Sequence, residues 1–182
     1  MDQNRSEIII LETARLVLRQ FHYADLDDLG VILRHREVMR YSLSGPKTRL
    51  ETREFIQRCL ATYQSQRYGI WALVLKPERT LIGYSGLIPQ MISSRREMEI
   101  GYRLAYDQWG NGYATEAAGA VRDYAFTVLR LPRVIAIIEP ENTRSWHVAE
   151  KIGMVYEQDS VFGGKDVRIY AQNRSNSDTM KL

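Results

Sequence analysis

The chain has 182 residues, 45% hydrophobic and 26% charged, with a formal net charge of +3. This is the profile of one globular domain with a sizeable core, and it excludes a fibrous or wholly disordered chain. One cysteine, Cys59, rules out an internal disulfide, no Cys/His cluster has metal-ligand spacing, and no block of Lys or Arg suggests a nucleic-acid partner. The apolar run at 8–11 is too short for a signal peptide or membrane span, so a metal-free cytoplasmic protein is expected.

Taken in order, residues 1–10 read as a loose leader, and 15–21 alternates with period two as the first strand. Residues 24–29 open a helix. Asp25, Asp27 and Asp28 fall where the helix dipole favours them, Leu26, Leu29, Ile32 and Leu33 make the buried stripe, and an exposed His35 ends it. After a turn-rich connection at 41–46, Thr48 and Glu51 have capping-box spacing before a second helix with Phe55, Ile56, Cys59, Leu60 and Tyr63 inward, ending near Arg67.

Residues 70–75 and 81–88 predict a hairpin of buried strands, and 97–104 predicts the next strand, so a meander is expected. Arg95 and Arg96 read as a solvated hairpin tip. A helix over 112–130 places Ala114, Ala118, Val121, Ala125 and Val128 on one face. Residues 133–138 form a buried strand stopped by Pro140, followed by a helix over 142–151 with Asn142 as N-cap and Gly153 as C-cap. Two last strands, at 154–156 and 167–170, join through Gly163 and Gly164, and the tail from Asn173 is expected to be unordered. The order implies a single α/β domain over 1–182 with a mixed sheet, its core at about 11–171 and a tail at 172–182.

The stretch carrying chemistry is the strand at 97–104 running into Trp109, Gly110, Asn111, Gly112, Tyr113, Ala114 and Thr115. The first turn of a helix leaves backbone N–H groups without intrahelical partners, and the dipole adds positive potential there. Gly110 and Gly112 let the backbone turn tightly beside a bulky anion, so this strand-turn-helix predicts a phosphate site.

Glu99-Ile100-Gly101-Tyr102, the run from Trp109 to Ala117, and Asn142-Thr143-Arg144-Ser145 together resemble the GCN5-related N-acetyltransferases (GNAT), most closely the branch that acetylates ribosomal protein N-termini (RimJ/RimL type). The resemblance runs from about Leu11 to Ala171. It implies a GNAT fold, a mixed and mostly antiparallel sheet that splays at a cofactor cleft and is flanked by helices. It also implies acetyl-CoA as co-substrate between the strands 97–104 and 133–138. The pantetheine arm would pair with backbone near Tyr102 and Leu104, and the pyrophosphate would rest on N–H groups from Trp109 to Thr115, with Ala114 kept small. Trp109, where Gln or Arg is common, and Tyr106, where proline is frequent, depart from the wider pattern. By the same resemblance, residues 39–46 form a wall of the acceptor groove; a plain connector is the alternative.

The implied acceptor is a primary amine, either a protein N-terminus or a small molecule. Such an amine must lose a proton to attack a thioester, since an α-amine has a pKa of about 7.7–8.0 and a lysine about 10.4. Glu99 is the candidate base, directly or through water, with Glu97 on the same face as substitute and a structural ion pair as the plain alternative. Departing CoA thiolate needs a donor, for which Ser145, one turn beyond Asn142, is the candidate; a solvated helix serine is the alternative. Asn142 would hold the pantetheine amides, cap the helix, or both. His147 and Glu116 read as structural.

A nucleotide-binding dehydrogenase is disfavoured because Thr115 stands where the third glycine of its fingerprint belongs. An inactive acyl-CoA-binding regulatory module is the rival from another class. No membrane partner is expected, the oligomer is a monomer or homodimer, and Asp25, Asp27 and Asp28 could give the acidic groove a polyamine would want, although a helix start explains them better.

Overall fold

The computed structural model describes residues 7–175. Eight strands form one sheet in the order β1-β2-β3-β4-β5-β6-β8-β7: β1 (Ile9–Glu12), β2 (Leu16–Arg19), β3 (Ile70–Leu75), β4 (Leu81–Ile92), β5 (Arg95–Leu104), β6 (Arg133–Ile138), β7 (Val155–Phe162) and β8 (Lys165–Asn173). Only β5 and β6 run parallel, so the sheet is mixed and mostly antiparallel, as expected. The helices are α1 (Leu26–Leu33), α2 (Arg49–Ser65), α3 (Tyr113–Thr127) and α4 (Thr143–Lys151).

Residues paired across neighbouring strands share a face, because side chains alternate along each strand. Ala72, Tyr84 and Arg103 are aligned in this way. On their side Leu29 and Leu33 of α1 and Ile56 and Cys59 of α2 close a core against Ala72 and Val74. On the other side Val121, Ala125 and Phe126 of α3 and Ala149 of α4 pack with Trp71, Leu73, Ile100 and Leu104. Each of the Leu, Ile, Val and Phe side chains among these stabilises the fold by about 1.5–3 kcal/mol when taken fully out of water, and the alanines by less.

Local signals account for the helix starts. Thr48 accepts from the Glu51 N–H while the Glu51 carboxylate accepts from the Thr48 N–H, a reciprocal cap. Asn142 caps α4 by accepting from the Ser145 N–H, and Gly153 turns the chain out of it with φ +87°. The buried Asp25 lies in the single turn of 3-10 helix ahead of α1 and forms a two-bond ion pair with buried Arg19, at 2.7 and 2.8 Å.

Three expectations are corrected at the edges. The supposed leader runs into β1, whose first two residues, Ile9 and Ile10, fall within it, because Ile10 and Leu11 pack on the core once β1 pairs with β2. The supposed tail begins too early, since β8 continues to Asn173 opposite Arg133 of β6; polar residues complete that strand by backbone pairing alone. The helix at 112–130 stops at Thr127, and Val128, expected on the buried face, is 44% exposed while Phe126 takes the inward place. The rest of the expected leader and tail, 1–6 and 176–182, lies outside the described residues.

Candidate active site

The cleft begins where two parallel strands part. β5 and β6 are bridged only at Glu99 and Ile135, and beyond that point no strand lies opposite β5. The Ala105 N–H donates to Ile82 O, which makes Gly83/Leu104 and Ser85/Tyr102 the non-hydrogen-bonded pairs of the β4–β5 ladder. The backbone groups of Tyr102 and Leu104 therefore point away from β4 and into the gap. The Leu104 carbonyl accepts from the Trp109 indole N–H at 3.0 Å, and the Tyr102 carbonyl accepts from Arg103 Nη1 at 3.2 Å. Their two N–H groups remain facing the gap.

A cavity of about 320 Å³ fills the gap, lined by Glu99, Tyr102, Arg103, Asn142 and Ser145 among others. Tyr41, Ser42, Leu43 and Ser44, from the connection between α1 and α2, close one side of it. That connection is held from two directions: the Tyr41 hydroxyl donates to Glu141 O at 3.2 Å, and Leu43 packs so closely on Gly163 that a Cβ there would sit 2.6 Å from its side chain.

Glu99 accepts a 2.7 Å hydrogen bond from Gln90 Nε2 of β4. Burial pushes its carboxyl above the ordinary carboxylate range, against the opposing pull of the Gln90 bond and the Arg103 charge. Among the described residues it has no ion pair. Glu97 behaves in the opposite way. It is held by Arg133 at 3.2 Å and Arg95 at 3.6 Å and does not line the cavity, so the substitute base is tied up in a network that also engages Glu157.

Asn142 and Ser145 reach the same cavity from α4. Beside them lies a hydroxyl not singled out from the sequence: Tyr102 Oη is 3.5 Å from Ser145 O, and burial raises that phenol to about 12. It stays protonated at neutral pH. His147 is exposed against the Trp146 ring.

The glycine turn lies at the mouth of the gap, outside the cavity lining. Gly110 and Gly112 have φ +83° and +81°, the left-handed region that favours glycine. The first intrahelical bond of α3 runs from Glu116 N–H to Gly112 O, so the N–H groups of Tyr113, Ala114 and Thr115 precede the ladder. Arg15 reaches this turn from the start of β2. It donates to Asn111 O at 3.0 Å, lies 4.5 Å from the Tyr113 ring centre, and is anchored by Glu116 at 2.7 Å. Arg144 of α4 covers the Trp109 ring at 4.7 Å. Neither arginine stood out in the sequence, because each is brought to the turn from a distant strand or helix. A cavity of this size, a strand edge with free N–H groups and a glycine turn before a helix are features that binding of an acyl-CoA thioester would require.

Residues 15–155 match the family described as the Acetyltransferase (GNAT) domain. The chain belongs to the GNAT acetyltransferase family. Relatives of this GNAT chain include the uncharacterized protein YkkB of Bacillus subtilis, 35% identical over 91% of this chain and 96% of that protein. They also include the spermidine N(1)-acetyltransferase of Vibrio cholerae, 26% identical over 79% of this chain and 81% of that one. A solved GNAT-family acetyltransferase from Bacillus anthracis superposes with TM-score 0.79 at 29% identity, covering 91% and 98% of the two chains.

This GNAT chain is thus an acetyl-CoA-dependent acetyltransferase, and of the relatives named above one carries an acceptor, spermidine, in its name. Among the described residues no cluster of His, Cys, Asp or Glu is placed to hold a metal ion, and no helix is long and apolar enough to cross a membrane.

Proposed function

We propose that the chain transfers the acetyl group of acetyl-CoA to a primary α-amine, with a protein N-terminus of the ribosomal-protein kind as the first acceptor to test. The observation carrying this reading is the placement of Glu99 at the fork of β5 and β6, partly buried, free of ion pairs and lining the acceptor cavity. Acetyl-CoA supplies an activated thioester carbonyl. Glu99 takes the proton that the amine nitrogen loses as it bonds to that carbon, and the C–S bond breaks toward a CoA thiolate.

The Ser145 hydroxyl donates a hydrogen bond that stabilises that thiolate, which then takes its proton from solvent, while Asn142 and the N–H groups of Tyr102 and Leu104 align the pantetheine arm. The N–H groups of Tyr113, Ala114 and Thr115, with Arg15 beside them, hold the pyrophosphate, and the Trp109–Asn111 segment with Gly110 and Gly112 shapes that turn. An α-amine suits a single carboxylate of raised pKa because it is less basic than a lysine by more than two units.

A polyamine acceptor has a relative in its favour and the side-chain arrangement against it. Asp25 is consumed by Arg19 and Asp27 by Arg49 at 3.0 Å, and none of Asp25, Asp27 or Asp28 lines the cavity. Thiol release from acetyl-CoA, measured against N-terminal peptides, free amino acids and polyamines, tests the reading. Turnover with α-amines supports it, turnover with spermidine alone overturns the acceptor class, and tight acetyl-CoA binding with no turnover makes the chain a regulatory module.

A further inference from the structure

One half-buried cation in the cleft forms no ion pair among the described residues. Arg103 Nη1 and Nη2 donate only to main-chain oxygens, those of Tyr102 at 3.2 Å and Tyr41 at 3.4 Å, and Nε is buried with no hydrogen-bond partner. By contrast the buried Arg19 is paired with Asp25 at 2.7 Å and the half-buried Arg133 with Glu97 at 3.2 Å. Arg103 forms no ion pair among the described residues, although it lines the acceptor cavity. A cation that lines a cavity without an opposite charge in contact favours an anionic ligand group and opposes a cationic one.

The other charges of the cavity do not supply that partner. Glu139 is engaged by Lys165 at 2.7 Å, and Glu99 is bonded to Gln90 and feels Arg103 only through its field, without an ion-pair contact. Tyr84 carries a phenol that burial raises, so it stays neutral. Glu99 and Arg103 share one face of β5, four residues apart, or roughly 13 Å between Cα atoms at strand spacing.

We infer that the acceptor carries a carboxylate as well as an amine, and that the Nη1 and Nη2 groups of Arg103 grip this carboxylate while the amine is presented at Glu99. Each of these nitrogens carries a second hydrogen beyond its main-chain bond, and the two together form a planar fork that matches a carboxylate in two bonds. The inference rests on the reading of Glu99 as the acceptor-side base. It narrows the acceptor to an amino acid with a free acid group or a protein N-terminus with an acidic side chain close behind it, and it disfavours polycations, which would meet Arg103 head on.

The test separates affinity from turnover. Acetylated ω-amino acids of increasing length, and acetylated peptides with Asp near the start, are titrated calorimetrically into the CoA-saturated full chain beside their carboxamide or Asn counterparts. For at least one pair the acid binds about tenfold tighter or better, a difference of about 1.4 kcal/mol. Arg103→Gln abolishes that preference and Arg103→Lys keeps part of it, both with unchanged CoA affinity as the check on folding.

A preference among the small acids assigns a free amino acid, and a preference among the peptides assigns an acidic protein N-terminus. Equal or absent binding in every pair, or a preference that survives Arg103→Gln, overturns the inference. Failure of all amines to release thiol would remove the acceptor reading of Glu99 while leaving the carboxylate preference measurable.

Discussion

Gln90 on β4 donates a 2.7 Å hydrogen bond to Glu99 on β5, at the point where β5 and β6 begin to part. The bond favours the charged carboxylate, and burial opposes it more strongly. The balance leaves a base whose pKa lies above the ordinary value of about 4.3. Glu99→Gln should lower kcat by about 10²–10⁴ with acetyl-CoA affinity unchanged, read by thiol release and calorimetry.

The same residue sets two pH dependences. As a base it must be ionised, so kcat/KM falls as pH drops through the raised pKa. Gln90→Leu removes a bond that lowers that pKa, so the acid limb of the profile should move to higher pH. For stability the sign is opposite to that of a salt-bridged carboxylate: folding raises this pKa, so the folded state loses stability as pH rises from the unfolded pKa through the folded one. Glu99→Gln should therefore melt at or above the wild-type temperature at neutral pH, with the gain vanishing below about pH 4.

Ser145 and Tyr102 offer two hydroxyls to the leaving thiolate. With Ser145 as donor, Ser145→Ala lowers kcat by about tenfold and Tyr102→Phe leaves it nearly unchanged, a modest effect because thiols with pKa of about 8.5 leave readily. The reverse pattern in steady-state kinetics would move the role to Tyr102, whose phenol at about 12 is a neutral donor across the working range.

Gly112 caps α3 in the left-handed region with the Arg15 guanidinium close by; Gly110 has the same backbone conformation with open space around it. Alanine at either position should cost about 1–2 kcal/mol of stability in denaturant titrations. Gly112→Ala should in addition raise KM for acetyl-CoA more than Gly110→Ala does, because only its Cβ approaches the arginine at the anion turn.

Asp25→Ala should destabilise the domain by about 1–3 kcal/mol, because it strips two hydrogen bonds from buried Arg19 while Glu7 remains 3.1 Å from its Nε, and kcat and KM stay unchanged. Loss of activity on spermidine in this variant, at temperatures where it remains folded, would return Asp25 to an acceptor role.

What the sequence made legible was local. Thr48 and Glu51, Gly112 before α3, and Asn142 before α4 each act within one turn, and each structure element they announce is present. Alternation along β5 put Glu99 in the acceptor cleft and Ile100 and Leu104 in the core. What stayed hidden depends on register between distant strands. Nothing near Glu97 announces Arg133, 36 residues away, and nothing near Glu99 announces Gln90. Arg103 looked like one more polar residue of an alternating strand, because a missing counter-ion is visible only when all its neighbours are placed. β1 and the end of β8 were missed for the related reason that edge segments gain their order from a partner, not from their own composition.

The contact between Leu43 and Gly163 ties the acceptor wall to the hairpin of β7 and β8, while the anion turn and β5 belong to the middle of the chain. A change in the length or angle of that hairpin would therefore be felt at one wall of the cavity, through this van der Waals contact, while the glycine turn at Gly110 and Gly112 keeps its own backbone support.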